Sequence, residues 1–364
     1  MAATVAIRVG VGLARAERDR RVASAERARA RQFALLPGEQ LWEGLRRMAL
    51  GQLDMAIELL ANDGGVPAAK AIHEIRKALK RLRALIGLLE DELGEQAYAH
   101  ESAVLREAGR SVARARDAEV IVGTLDELIR LHPGKLAHRR GVARLRARLA
   151  AERDMAAQGA IGDRASRAQV LGDLRGVRER VARWSLSDAA GIQAVEPAVR
   201  RLYRQGARRH SRAVRGRGGR GRAMHEWRKR VKDLRYVAEM LDRADPAVRA
   251  HRGGGGRRRG KRGHGSRQAG YLRRVARRAD ELGERLGDEH DLVMLAARVR
   301  AARGSAPKAE RIGRGTQRAL LKLIARRRTT LRKQALREGR RLYGRSAKEF
   351  MRRVRSSYER RAGR

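Results

Sequence analysis

Two phrases of this chain place imidazole, guanidinium and ammonium groups at spacings suited to gripping a polyanion. HEIRKALKRLR runs from His73 to Arg83 and HEWRKRVKDLR from His225 to Arg235, with seven of eleven positions identical. On a helix advancing about 100° per residue, His73, Arg76, Lys77, Lys80 and Arg83 form one stripe beside the apolar set Ile72, Ile75, Leu79 and Leu82. In the second copy His225, Arg228, Lys229, Lys232, Arg235 and Tyr236 take the stripe, beside Met224, Trp227, Val231 and Leu234. Like charges three and four residues apart repel along a helix, so such a stripe costs stability unless something negative lies against it. Arg81 points away from the stripe and is matched by Asp233, so the basic face is kept between copies while the far side drifts.

The plain alternative is a solvated basic face, the usual meaning of a charge run. Two copies holding the same cations argue against it. An HExxH pattern would point to zinc, but the fifth residue here is Lys77 or Lys229, and a cation there opposes metal binding. His73 and His225 are therefore suited to donating to a phosphate or supporting their neighbours, and a structural role fits them equally. No metal, cofactor or catalytic residue is implied.

The elements that must carry these stripes are helical. Apolar positions at Ile72, Ile75, Leu79, Leu82, Ile86 and Leu89 alternate steps of three and four, the period of one helix face. The same period predicts helices over Gln40–Ala61, Glu95–Arg116, Ala118–Leu131, Lys135–Ala157, Ala165–Trp184, Ala194–Val214, Ala223–Arg243, Tyr271–Leu286, Leu292–Ala302 and Arg314–Tyr343. Asp117 and Asp291 each precede an apolar run, where a carboxylate can cap helix amides. Only TVAIRVGVGL alternates like a strand, with Val5, Ile7, Val9, Val11 and Leu13, and it has no second strand to pair with.

Breakers separate the helices. NDGGVP (Asn62–Pro67) precedes the first phrase and RGRGGRG (Arg215–Gly221) the second. RGGGGRRRGKRGHG (Arg252–Gly265) is low-complexity and without acid, a solvated spacer or a flexible anion-grasping arm. The repetition extends beyond the phrases. LRRM (Leu45–Met48) matches VRRL (Val199–Leu202), and VARARDAEV (Val112–Val120) matches LGDEHDLVM (Leu286–Met294). This order predicts an all-α chain of tandem duplicated antiparallel helical bundles. A basic tail spans 1–34, repeat one 35–157 and repeat two 165–355, the latter with a Gly/Arg-rich insertion at 252–269; a second basic tail spans 356–364.

Composition narrows the partner. Eighty-seven Lys and Arg oppose 41 Asp and Glu, a net charge of +46 over 364 residues. Codon bias can explain the excess of Arg over Lys, but not the shortage of acids. A compact fold so charged repels itself and implies a polyanion: nucleic acid, an anionic membrane or inorganic polyphosphate. Without Cys there is neither disulfide nor thiolate metal site. No apolar run approaches the roughly 20 residues that span a bilayer, and Arg8 interrupts the only signal-like stretch, so the expected compartment is the cytoplasm.

Taken together, HEIRKALKRLR, HEWRKRVKDLR, the RDAEV at Arg116–Val120, LGDEHDLVM, and the closing LLKLIARRRTTLRKQALREGRRLYG at Leu320–Gly344 resemble the CHAD family, the conserved histidine α-helical domain, from about Leu35 to Arg355. The resemblance implies two antiparallel bundles related by a pseudo-twofold axis, with a basic groove or pore between them. It further implies non-catalytic binding of inorganic polyphosphate and association with polyphosphate granules. By position it implies a ligand-facing set of His73, Arg76, Lys77, Lys80, Arg83, His225, Arg228, Lys229, Lys232 and Arg235, joined by Arg116 and His290 from the second motif. Asp117 and Asp291 would hold helix ends or orient cations. This sequence departs from the pattern in having Ala113 opposite Gly287 and Val293 opposite Glu119, and it lacks the glutamate-and-lysine strand motif of the triphosphate-tunnel domain that often accompanies the family.

Polyphosphate has no bases, so a reader of it needs only a dense row of donors. Arg offers a rigid fork for two oxygens and Lys a mobile point charge. Two stripes facing each other would clamp the polymer, and duplication supplies the second wall. Residues 308–364, with 21 basic and four acidic side chains, could extend the track. Sequence-independent binding of duplex DNA or RNA backbone is the alternative, although aromatics at 3% argue against base stacking. A phosphohydrolase would need clustered carboxylates for metals; Asp117, Glu119, Glu289 and Asp291 are explained more simply as caps and ion pairs. No helix pairs a basic face with the exposed aromatics of a membrane-surface helix.

Overall fold

The computed structural model describes residues 24–61, 66–162, 164–185, 191–216, 220–242, 270–304 and 311–362, with the backbone alone at 68–69, 113–116, 157–162, 220, 304 and 361–362. The strand-like run at 5–13, the Gly/Arg insertion at 252–269 and the side chain of Arg116 lie outside the described residues. The regular structure of the described residues is helical, with no strand among them. After a helical turn at 24–30 come α1 (Leu41–Ala61), α2 (Ala68–Leu88), α3 (Glu90–Leu93), α4 (Glu95–Ser111), α5 (Ala113–Leu131), α6 (Pro133–Leu136) and α7 (Arg140–Gly162). Then follow α8 (Arg164–Ala182), α9 (Ile192–Arg215), α10 (Arg220–Leu241), α11 (Tyr271–Gly304), α12 (Arg314–Leu342) and α13 (Ala347–Ala362).

The pairing of helices follows one scheme twice. In the first half α1 packs on α2 and α8, α4 packs on α2 and α8, and α5 packs on α7, so α8, expected from the sequence to open the second repeat at 165, packs with the first instead. In the second half α9 packs on α10 and α13, α11 packs on α10 and α13, and α11 also packs on α12. The long α11 does the work of α4 and α5 together. Across the halves α2 meets α10 and α5 meets α11.

The apolar residues gather into two cores, and neither core belongs to one half of the sequence. The first takes Leu45, Ile75, Leu79 and Leu82 together with Tyr203, Trp227, Val231 and Leu282. The second joins Ile121, Leu125 and Leu145 to Leu295, Val299, Leu320 and Leu331. Three helices cross from one core to the other. At α5 the crossing lies between Val112, just before the helix, and Ile121, in α11 between Leu286 and Leu292, and in α12 between Leu331 and Ala335. The second repeated motif therefore sits at the seam, where α5 and α11 leave one apolar environment and have not yet entered the next.

Three expectations need correcting. Glu95–Arg116 is not one helix: the backbone leaves helical geometry at Val112 (φ −90°, ψ 5°) and restarts at Ala113. Conversely, Tyr271–Leu286 and Leu292–Ala302 are one helix of 34 residues, about 51 Å long. The lapse in apolar period at 287–291 marks a change of neighbour rather than a loop. Asp117 and Asp291 are consequently inside helices, where the amides already bond to carbonyls four residues back and leave nothing to cap.

The termini of the family-like region are held firmly. Phe33, Leu35 and Leu36 are buried, and Leu35 N–H donates to the Met240 carbonyl at 3.0 Å, which satisfies an orphan acceptor near the end of α10. Helix α13 continues beyond residue 356 and buries Ser357 and Tyr358.

Candidate polyanion site at the seam between two cores

The apolar sides of α2 and α10 are anchored in the first core, Ile75 and Leu79 on one helix and Trp227 and Val231 on the other. That anchoring rotates the basic stripes toward each other where the two helices meet. Lys80 and Lys232, matched positions of the two phrases, lie within each other's field. Arg83 lies beside Asp233, while its match Arg235 lies beside Arg81, the match of Asp233.

At the seam the second copy meets α11. The imidazoles of His225 and His290 have ring centroids 4.6 Å apart at 38°. A Cβ at Gly287 would stand 3.3 Å from Arg228 Nη2, and one at Gly283 would stand 3.8 Å from Lys232 Cγ. The two glycines thus admit the stems of Arg228 and Lys232 against the α11 backbone. Arg76 reaches Asp117 of α5 at 3.5 Å, which draws the first copy to the same junction.

The electrostatics are those of a site short of negative charge. Lys232 is pushed down to about 7, first by burial, then by Arg228 and Lys80, with Asp291 as the main opposing influence. His290 is pushed down to about 4 by burial and by Arg228, His225 and Lys232. His225 is also lowered, by burial and by Lys229 and Arg228. Arg228 Nε and His225 Nδ1 are buried with no hydrogen-bond partner among the described residues. A buried orphan of this kind costs about 1–3 kcal/mol, and more when charged. A water or an anion can supply the missing partner.

Not every stripe residue joins this cluster. Lys77 pairs with Glu74 at 3.0 Å and Lys229 with Glu226 at 2.5 Å, each one turn away on its own helix. Arg235 is held by Glu239 at 2.7 Å and by Asp280. Arg83 and His73 are exposed. Tyr236 turns out of the stripe into the first core, edge-on to Phe33 at 6.2 Å. The residues brought together are Arg76, Lys80, His225, Arg228, Lys232 and His290, with Asp117 and Asp291 as the adjoining acids.

One part of the junction escaped sequence reasoning. Glu289 is only 2% exposed and accepts from Arg328 at 3.0 Å and from Arg332 at 2.8 Å, both on α12. The i, i+4 spacing of these arginines puts both forks on one side of α12, but six other cations stand between residues 318 and 337. Nothing local to the sequence says which pair turns inward.

Among the described residues no group of three or more His, Asp or Glu is placed to hold a metal ion, and no helix is long and apolar enough to cross a membrane. The family model described as CHAD domain matches residues 53–252, more than half of the chain. Among solved structures, the crystal structure of the CHAD domain from the plant Ricinus communis is similar, with a TM-score of 0.54 and 18% identity. That match covers 87% of this chain and 96% of the plant one, a likeness of fold. A comparison with curated protein sequences finds no significant match.

Proposed function

The chain belongs to the CHAD domain family, and from that premise we propose that it binds inorganic polyphosphate, without catalysis, at the seam between its two cores. The family relates generally to polyphosphate. The observation that carries the reading here is the pair of buried donors without partners, Arg228 Nε and His225 Nδ1, set among Lys80, Lys232 and His290. A phosphate oxygen is a strong acceptor, and an anionic chain would at once satisfy these donors and oppose the burial and the neighbouring cations that lower Lys232.

The chemistry also selects the ligand's shape. Donors this deep are reached by a slim chain of phosphates without bulky substituents. Arg76 and Arg228 would hold oxygens with directed hydrogen bonds, and Lys80 and Lys232 would supply charge from the two sides. His225 and His290 would donate to intervening oxygens. Many modest contacts along one polymer act together, so long chains are favoured over short ones. Residence on polyphosphate granules in the cytoplasm belongs to this proposal.

The test is a calorimetric or filter titration with long-chain polyphosphate on the natural protein and on Arg76→Glu, Lys80→Glu, Arg228→Glu, Lys232→Glu combined. Loss of at least a hundredfold in affinity is expected, since hydrogen bonds to charged groups are each worth about 1.5–3 kcal/mol. Affinity within a few-fold of the natural protein would end the proposal.

A further inference from the structure

Helix α12 carries a second basic feature that the seam does not use. Arg314, Arg318, Lys322, Arg326, Lys333 and Arg337 are all exposed. They lie on the side of α12 facing away from Leu320, Ile324, Leu331 and Ala335, which are buried. At a rise of about 1.5 Å and a turn of about 100° per residue, the six cations span roughly 35 Å along the helix axis, within one face about 140° wide. Four of them repeat every fourth residue, a spacing at which like charges repel. The ion pairs of this helix come from elsewhere on its surface: Arg328 and Arg332 to Glu289, and Glu338 to Arg285. Interspersed Thr329 and Thr330 turn their hydroxyls back to the carbonyls of Ala325 and Arg326, at 3.0 and 3.3 Å. The ridge therefore presents charge with no aromatic beside it to stack a base.

An exposed, straight ridge and a buried cluster favour different polyanions. A slim flexible chain gains from a deep site, where buried donors are satisfied, but laying it straight along a convex ridge costs its conformational freedom. A stiff duplex, with a persistence length of about 50 nm, is already straight and meets a row of cations without that cost. At the seam the orphan atoms Arg228 Nε and His225 Nδ1 are buried, out of reach of a duplex backbone, whereas the cations of the ridge are exposed to it. From this contrast we infer that the exposed face of α12 is a second, separate binding surface for the phosphate backbone of duplex nucleic acid, engaged without regard to sequence.

The experiment is fluorescence anisotropy with a labelled duplex of about 20 base pairs, longer than the ridge at 3.4 Å per pair, run in parallel with long-chain polyphosphate over a salt series. The variant Lys322→Glu, Arg326→Glu, Lys333→Glu, Arg337→Glu should bind duplex at least tenfold more weakly. Its log affinity against log salt should flatten by about 3 to 4, at about 0.9 per lost phosphate contact. Its polyphosphate affinity should stay within about threefold of the natural protein. The corresponding Gln variant, which removes charge without adding repulsion, should behave alike with unchanged helical circular dichroism. The seam variant Arg228→Gln, Lys232→Met should show the reverse, keeping duplex and losing polyphosphate. Unchanged duplex affinity in both ridge variants would overturn the inference. So would equal loss of duplex and polyphosphate from the ridge variants, which would make the ridge a second berth for the inorganic chain. A seam variant that kept polyphosphate would instead count against the proposed function, leaving the duplex measurements to decide the ridge.

Discussion

His225 and His290 come from different helices of the second half, 65 positions apart in the chain, yet their rings lie 4.6 Å from centroid to centroid. Both are held below their usual pKa by burial and by the same two cations, Arg228 and Lys232. His225, His290 and Lys232 are thus kept short of protons by burial and by neighbouring cations, and the behaviour of the site with pH follows from that.

Binding of polyphosphate should take up protons. With Lys232 near 7 in the free protein, an anion beside it raises its pKa toward the ordinary value of about 10.4. Between those limits each pH unit gained should cost up to about tenfold in affinity for that one proton. Calorimetry at pH 8 in buffers of different ionisation enthalpy should show uptake approaching one proton. Equal apparent enthalpies in all buffers would contradict it.

Stability of the free protein should move the other way over the same range. Because the folded pKa of Lys232 lies below its unfolded value, the unfolded chain binds more protons between about pH 7 and 9.5. Its contribution to folding therefore rises with pH there. Urea midpoints at pH 7 and 9 should show the gain, and Lys232→Met should abolish most of the difference. Lys232→Met itself should be more stable at pH 7 by about 1 kcal/mol, since it removes a charge whose burial and cationic neighbours outweigh the help of Asp291, while binding polyphosphate roughly tenfold more weakly.

Gly287→Ala should separate folding from binding by a single methyl. Alanine is the better helix former by about 1 kcal/mol, and α11 is helical on both sides of the site. The added carbon would meet Arg228 Nη2 at 3.3 Å and shift the guanidinium by a few tenths of an ångström. The expected result is unchanged or higher thermal stability with several-fold weaker polyphosphate binding. Unaltered affinity would show that Arg228 has room to spare.

Glu289→Ala should cost about 3 kcal/mol in chemical denaturation, because it leaves Arg328 and Arg332 without their buried counter-ion. Glu289→Gln should recover part of this by keeping an oxygen acceptor. A loss under 1 kcal/mol in the alanine variant would mean that water reaches both arginines.

The helical class, the doubled basic phrase and the excess of cations were legible in the sequence, because they depend on short-range spacing and on composition. Ile72, Ile75, Leu79 and Leu82 share a face through the helical period alone, and a net charge of +46 needs no coordinates. Which cations work together was not legible. Lys77 and Lys80 look alike on a wheel, yet Lys77 meets Glu74 at the surface while Lys80 meets Lys232 where α2 crosses α10. Likewise Tyr236 belonged to the stripe by angle and to the core by packing. The seam arose only when both halves shared their apolar faces in two joint cores, leaving 287–291 of α11 between them. Period and composition set what each helix offers; the angle and height at which helices cross decide which offered charges are buried together, and only folding in three dimensions determines that.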